Sequence, residues 1–118
     1  MDARKYKFAV IAADVVIFTV AEDELKVLLI KMKKKPFNGM WASPGGLVKS
    51  NEPVDAAAKG HLAQKTGIKN VYLEQLYTFG KIDRDPFGRV VSVAYMALIP
   101  MDNIKLKTTE EYEDVKWF

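Results

Sequence analysis

The residues from Pro44 to Ile68, PGGLVKSNEPVDAAAKGHLAQKTGI, constrain this chain more than any other stretch. Pro44, Gly45 and Gly46 predict a turn that leads through a short polar loop into one helix. Pro53 fits the first helical turn, where a missing N–H is harmless, and Asn51 or Glu52 beside it can cap. Val54, Ala57, Ala58 and Leu62 recur at three- and four-residue spacing and give one narrow apolar face. Gly67 supplies the left-handed residue that closes many helices. A loop–helix–turn unit flanked by glycines is a common frame for holding phosphate or a metal–phosphate.

The spacing resembles the Nudix box, G-x5-E-x7-R-E-U-x-E-E-x-G-U, where U is a bulky aliphatic. Gly46 takes the first glycine, Glu52 the first glutamate, Leu62 the first aliphatic, and Gly67 and Ile68 the closing pair. The chemical positions differ: the R-E pair falls on Gly60 and His61, and the E-E pair on Gln64 and Lys65. Residues 61, 64 and 65 stand at i, i+3 and i+4 and share one helix face. In Nudix hydrolases that face carries carboxylates that hold magnesium or manganese against a diphosphate. Hard divalent cations need oxygen ligands, preferably anionic. Imidazole and amide are poor substitutes, and Lys65 puts a cation where the metal would sit. Glu52 is the carboxylate left from the box, and the resemblance implies a Nudix-like domain whose hydrolytic centre is dismantled. Loss of the arginine at Gly60 also removes a side chain that orients the glutamates in the enzymes.

A chain of 118 residues with 49% hydrophobic and 28% charged residues predicts a single soluble domain with a proper core. Without cysteine it has no disulfide framework, thiolate metal site or cysteine nucleophile. The apolar run from Ala9 to Val20 is too short to span a membrane and is broken by Asp14, so the expectation is a cytoplasmic protein with no membrane partner. The net charge of +3 permits an anionic ligand and does not by itself argue for nucleic acid.

Strands are predicted over Phe8–Val20 and Leu25–Met32, joined at Ala21–Glu24 into an antiparallel hairpin, and over Met40–Ser43, Val71–Phe79, Arg89–Pro100 and Val115–Phe118. Residues 101–113 form a polar connection. The near-continuous apolar run of Arg89–Pro100 predicts burial on both faces. The fold class is α+β, a mixed sheet packed with one clear helix. Asp14 is either an edge residue or a hydrogen-bonded polar group near the site. Lys31 and Lys33 to Lys35 are either a solvated loop or a basic lip for a phosphorylated ligand. Trp41 reads as a core or lining residue, and Tyr77 and Phe79 as core aromatics that could otherwise stack on a base.

Outside the box, VVIFTVAEDELKVLLIK, WASPGG and YTFGKIDRDPFGRVVSVAY resemble the Nudix branch that contains ADP-ribose pyrophosphatases and Nudix-related transcriptional regulators of NAD metabolism. The regulators sense ADP-ribose or a related nucleotide through a Nudix domain and bind DNA through a winged helix behind it. The resemblance implies that residues 1–118 are a Nudix-like domain without the family's C-terminal helix or a winged helix; DNA is a partner only if such a domain lies outside this chain. It implies a non-catalytic module for an ADP-ribose-like nucleotide diphosphate, with candidate ligand contacts at Gly45, Gly46, Lys65, Arg84 and Arg89 and no required cofactor. Arginine forks suit phosphate oxygens, and the competing role for Arg84 and Arg89 is a salt bridge with Asp83 or Asp85. The alternative is a magnesium- or manganese-dependent pyrophosphohydrolase that recruits ligands to Glu52 from Glu74, Asp83 or Asp85. A third reading is a protein–protein interaction remnant. Apolar sheet surface near Val115, Trp117 and Phe118, left without a covering helix, predicts a homodimer.

Overall fold

In β1 (Val10–Ala21) every second residue is withdrawn from water: Ala13, Val15, Ile17 and Thr19 are fully buried, as a pleated strand lying against a core requires. The structure is a computed structural model that describes residues 1–101 and 112–118. β1 turns into β2 (Glu24–Met32) through Glu22 and Asp23, both at positive φ, the twist that two-residue hairpin turns adopt. The hairpin is paired only near this turn, from Phe18↔Val27 to Ala21↔Glu24. Beyond it the two strands take different partners. β2 accepts β3 (Trp41–Ala42) and β7 (Tyr112–Trp117), while β1 accepts β4 (Gly45–Leu47) and β6 (Val90–Leu98). β6 runs parallel to β1, Val10↔Val90 to Phe18↔Leu98, and carries β5 (Glu74–Phe79) antiparallel on its far side. The fold is therefore α+β: a mixed sheet, forked where β1 and β2 part, with one α-helix among the described residues.

That helix, α1 (Val54–Thr66), lies over β1 and β4. Ala57, Ala58, Leu62 and Thr66 are buried, the face expected from the three- and four-residue spacing. The alanines let α1 approach the sheet closely, and Leu62 and Ile68 fill the space against Val15, Ile17 and Tyr95. Leu62→Ala at such a site costs about 2–5 kcal/mol. Gly67 closes the helix in the left-handed conformation at φ 82°, its N–H donating to the Ala63 carbonyl at 2.9 Å. The buried Thr66 hydroxyl donates to the Leu62 carbonyl and accepts from the Ile68 N–H, so the polar group at this end is satisfied on both sides.

Several expectations are corrected. Gly45 and Gly46 lie in β4 rather than in a turn; the buried Pro44 accepts the Val15 N–H at 2.8 Å and starts the pairing with β1. Pro53 is itself the N-cap residue, in extended conformation, and neither Asn51 nor Glu52 caps; the Glu52 carboxylate instead accepts the Lys49 N–H at 2.9 Å. β1 begins at Val10 rather than Phe8, and β5 begins at Glu74, after Asn70 has turned the chain at φ 59°. β7 begins at Tyr112, so the polar connection ends earlier than expected; its residues 102–111 lie outside the described residues. Tyr77 and Phe79 are 60% and 47% exposed, because α1 covers β1 and β4 and leaves the faces of β5 open among the described residues. Of the residues expected to lie open at the C-terminal strand, Val115 and Trp117 are partly buried against the core and Phe118 is 45% exposed; β5 carries a second open apolar stretch at Leu76, Tyr77 and Phe79. The two-sided burial expected of β6 is borne out at Ser92, Ala94, Tyr95 and Ala97.

Candidate functional site

The fork between β1 and β2 opens a cleft of about 390 Å³. Its walls are Ala12 and Asp14 from β1, Ile30 and Met32 from β2, Trp41 from β3 and Tyr112 from β7. Gly45, Gly46, Lys65 and Arg84 also line it, so four of the five expected ligand contacts come together. Trp41 is a lining residue, as expected, packed edge-on against Phe118 with ring centroids 4.7 Å apart. Larger grooves of about 630 and 610 Å³ lie around residues 67–72, but they hold none of these contacts. Gly60 borders the second of them, outside the cleft.

The seam between α1 and β4 decides what the helix face can offer. β4 is hydrogen-bonded to β1 along one edge, so the Gly45 and Leu47 carbonyls point the other way, toward α1. The Lys65 ammonium donates to the Gly45 carbonyl and lies 5.2 Å from the centre of the Tyr112 ring. His61 Nε2 stands 2.8 Å from the Leu47 carbonyl, with its ring against Gly46, where any Cβ would overlap it. Both residues thus tie the helix to the strand's outer edge. Gln64 is exposed, and Glu52 belongs to the loop before α1. Among the described residues, no three His, Asp or Glu side chains converge as a metal-binding group.

The loop between β5 and β6 approaches the cleft through Arg84 and Asp85. Arg89 does not line it; its guanidinium donates to the Gly80 carbonyl at 2.7 Å and closes the base of the loop. Neither arginine pairs with Asp83 or Asp85: Asp83 lies 3.7 Å from Lys81, and Asp85 accepts the Phe87 N–H at 2.8 Å. Lys31 lies 3.6 Å from Glu113, while Lys33 to Lys35 are exposed beside the cleft wall. Asp14 is the hydrogen-bonded polar group near the site, not an edge residue: its Oδ2 accepts the Ser92 hydroxyl. Ser92 and Tyr112 escaped the sequence reading. A lone serine within VVSVAYMAL was the available signal for the first.

The fork, the helix over it and the box spacing define a Nudix fold, and the comparisons agree. The NUDIX domain family model matches residues 10–118, and the chain belongs to that family. It is 40% identical over 96 residues to an ADPR responsive transcriptional repressor, NtrR, of Acinetobacter baylyi, covering 80% of this chain and 38% of the repressor. It is 31% identical over 117 residues to an ADP-ribose pyrophosphatase of Methanocaldococcus jannaschii, covering 99% of this chain and 68% of that enzyme. The NUDIX domain of Shewanella oneidensis NrtR, solved in complex with ADP ribose, superimposes with a TM-score of 0.86 at 34% identity, covering all of this chain and 77% of that one. The chain thus spans well under half the length of the Acinetobacter repressor. Among the described residues, no helix is long and apolar enough to cross a membrane.

Proposed function

We propose that this domain binds an ADP-ribose-like nucleotide diphosphate in the forked cleft and senses it without hydrolysing it. The observation that carries this reading is the α1–β4 seam, where Lys65 and His61 hold strand carbonyls at positions the Nudix box gives to carboxylates. A hard divalent cation needs several oxygen ligands. A lysine ammonium, an imidazole turned to a carbonyl and one glutamate in the loop before α1 do not make such a set. Lys65 and Arg84 instead supply fixed positive charge to the cleft, and Gly45 and Gly46 let a ligand approach the β4 backbone. Arg89 braces the loop that carries Arg84. The repressor responsive to ADPR and the NUDIX domain bound to ADP ribose support the ligand class. In this reading the domain acts as a cytoplasmic homodimer, and DNA is a partner only if a further domain lies outside these residues.

Titration calorimetry with ADP-ribose, with and without EDTA, tests this. Binding is expected to survive chelation and to weaken as salt rises, because exposed charge pairs are screened. Incubation with ADP-ribose, NADH or dinucleoside polyphosphates plus magnesium or manganese should give no turnover above buffer. Lys65→Glu should weaken metal-free binding by roughly 1.5–3 kcal/mol, the loss of a charge-assisted hydrogen bond. The second reading, a metal-dependent pyrophosphohydrolase, draws on the pyrophosphatase that matches nearly the whole chain. It would need Glu52 to recruit Glu74, Asp83 or Asp85 as metal ligands. Robust hydrolysis abolished by Glu52→Gln would replace the first reading with this one.

A further inference from the structure

Asp14 sits where β1 leaves β2, in register with Gly45 on β4 and Ala94 on β6. The surroundings of its carboxylate are specific. Ser92, only 1% exposed, donates its hydroxyl to Oδ2 from within an otherwise apolar strand. Oδ1 lies against Gly45, where a Cβ would overlap it and would also come within 2.7 Å of the Ala13 carbonyl. A serine and a glycine thus hold one carboxylate at the cleft wall. An ionised carboxylate can accept about four hydrogen bonds. Among the described residues, the Ser92 hydroxyl is the side-chain donor it has. The apolar linings of the same cleft, Ile30, Met32, Met40, Trp41 and Val90, offer that carboxylate no side-chain donors.

The charge also says what Asp14 does not bind. Phosphate oxygens are repelled by a carboxylate, and Lys65 and Arg84 line the same cleft to receive them. The part of such a diphosphate ligand that suits a carboxylate is its hydroxyl donors rather than its phosphate oxygens. Two adjacent hydroxyls present two O–H donors to one carboxylate, the pairing by which dinucleotide-binding folds hold a ribose. We propose that Asp14, positioned by Ser92, accepts the vicinal hydroxyls of a ribose and makes the cleft selective for sugar-bearing diphosphates. This rests on the nucleotide reading above and adds the part of the ligand that sets specificity.

The test compares three probes by calorimetry, ADP-ribose, ADP and 2′-deoxy-ADP, against the native chain and Asp14→Asn. The asparagine keeps the size and an acceptor for Ser92. Its expected effect is a selective loss, about 10- to 100-fold, as for a charge-assisted bond. If the terminal sugar is held, the ADP-ribose to ADP affinity ratio falls; if the nucleoside sugar is held, the ADP to 2′-deoxy-ADP ratio falls. Ser92→Ala should lower the same ratio by less, since it loosens the carboxylate without removing it, and it decides the matter if Asp14→Asn does not fold. Native binding with both ratios unchanged in the variants overturns the role of Asp14 alone. Failure of the native chain to bind any of the three overturns the nucleotide reading and this assignment together.

Discussion

Gly46 and His61 face each other across the seam between α1 and β4, and each explains the other. The imidazole occupies the space that a side chain at position 46 would need, and its bond to the Leu47 carbonyl keeps it there. Gly46 is not needed here for unusual backbone angles, since its φ is not positive. Its value is close approach. Gly46→Ala should therefore destabilise the fold by about 1–3 kcal/mol, the usual result of overpacking. The loss should largely vanish when His61→Ala is added, a coupling that a double-mutant cycle by urea denaturation reads directly. Equal losses with and without His61 would mean that the ring is not the obstacle. The box glycine and the box glutamate position thus serve packing in this chain, whatever they serve in its relatives.

At the scale of the element, α1 holds two glycines that call for opposite outcomes. Gly67 ends the helix at φ 82°, a conformation that a Cβ penalises. Gly67→Ala should cost about 1–2 kcal/mol. Gly60 sits mid-helix with nothing within 4 Å of where its Cβ would be. Gly60→Ala should stabilise by about 0.5–1 kcal/mol, because alanine loses less conformational freedom on folding. Thermal unfolding of the two variants checks both signs at once. A destabilised Gly60→Ala would mean that the exposed helix face has a neighbour in solution. The same element explains the hinge-like placing of the site: α1 is anchored at its start by apolar packing and along β4 by Lys65 and His61, so the cleft floor is fixed before any ligand arrives.

The whole molecule is longer than a compact chain of its size. Its radius of gyration is 15.1 Å, with extents of 52 × 31 × 23 Å, against about 13–14 Å for a compact domain of this length. The extra surface includes β5, where Leu76, Tyr77 and Phe79 are each about half exposed or more, and Tyr72, Leu98 and Ile82 nearby are more exposed still. Large apolar side chains concentrated along an edge strand suit association. Sedimentation at tens of micromolar, in the range of ordinary micromolar affinities, should find a dimer. Tyr77→Lys should shift it toward monomer without lowering the monomer's unfolding free energy by more than about 0.5 kcal/mol, as for an exposed position. A clean native monomer at that concentration would remove the dimer from the account.

The sequence by itself determined α1, its buried face, its glycine stop, the β1–β2 hairpin and the two-sided burial of β6, because each follows from periodicity, an apolar run or turn chemistry within a few residues. The family resemblance, through the box and the Asp83–Arg89 loop, likewise marks Gly45, Gly46, Lys65 and Arg84 as candidates from the sequence alone. What the tertiary structure alone decided depends on residues far apart in the chain. Pro44 to Gly46 reads locally as a turn, yet enters a strand because β1 lies beside it, with Gly45 making room for Asp14 and Gly46 for the His61 ring. Tyr77 and Phe79 read as core, yet lie open because both faces of β5 are exposed among the described residues and α1 packs over β1 and β4 instead. Lys65 reads as a solvated lysine or a ligand contact, yet its partners are a β4 carbonyl and an aromatic ring 47 residues later in the chain. The bond between Ser92 and Asp14 spans 78 residues. No local pattern encodes it, because the parallel pairing of β1 with β6 is what brings the two side chains together.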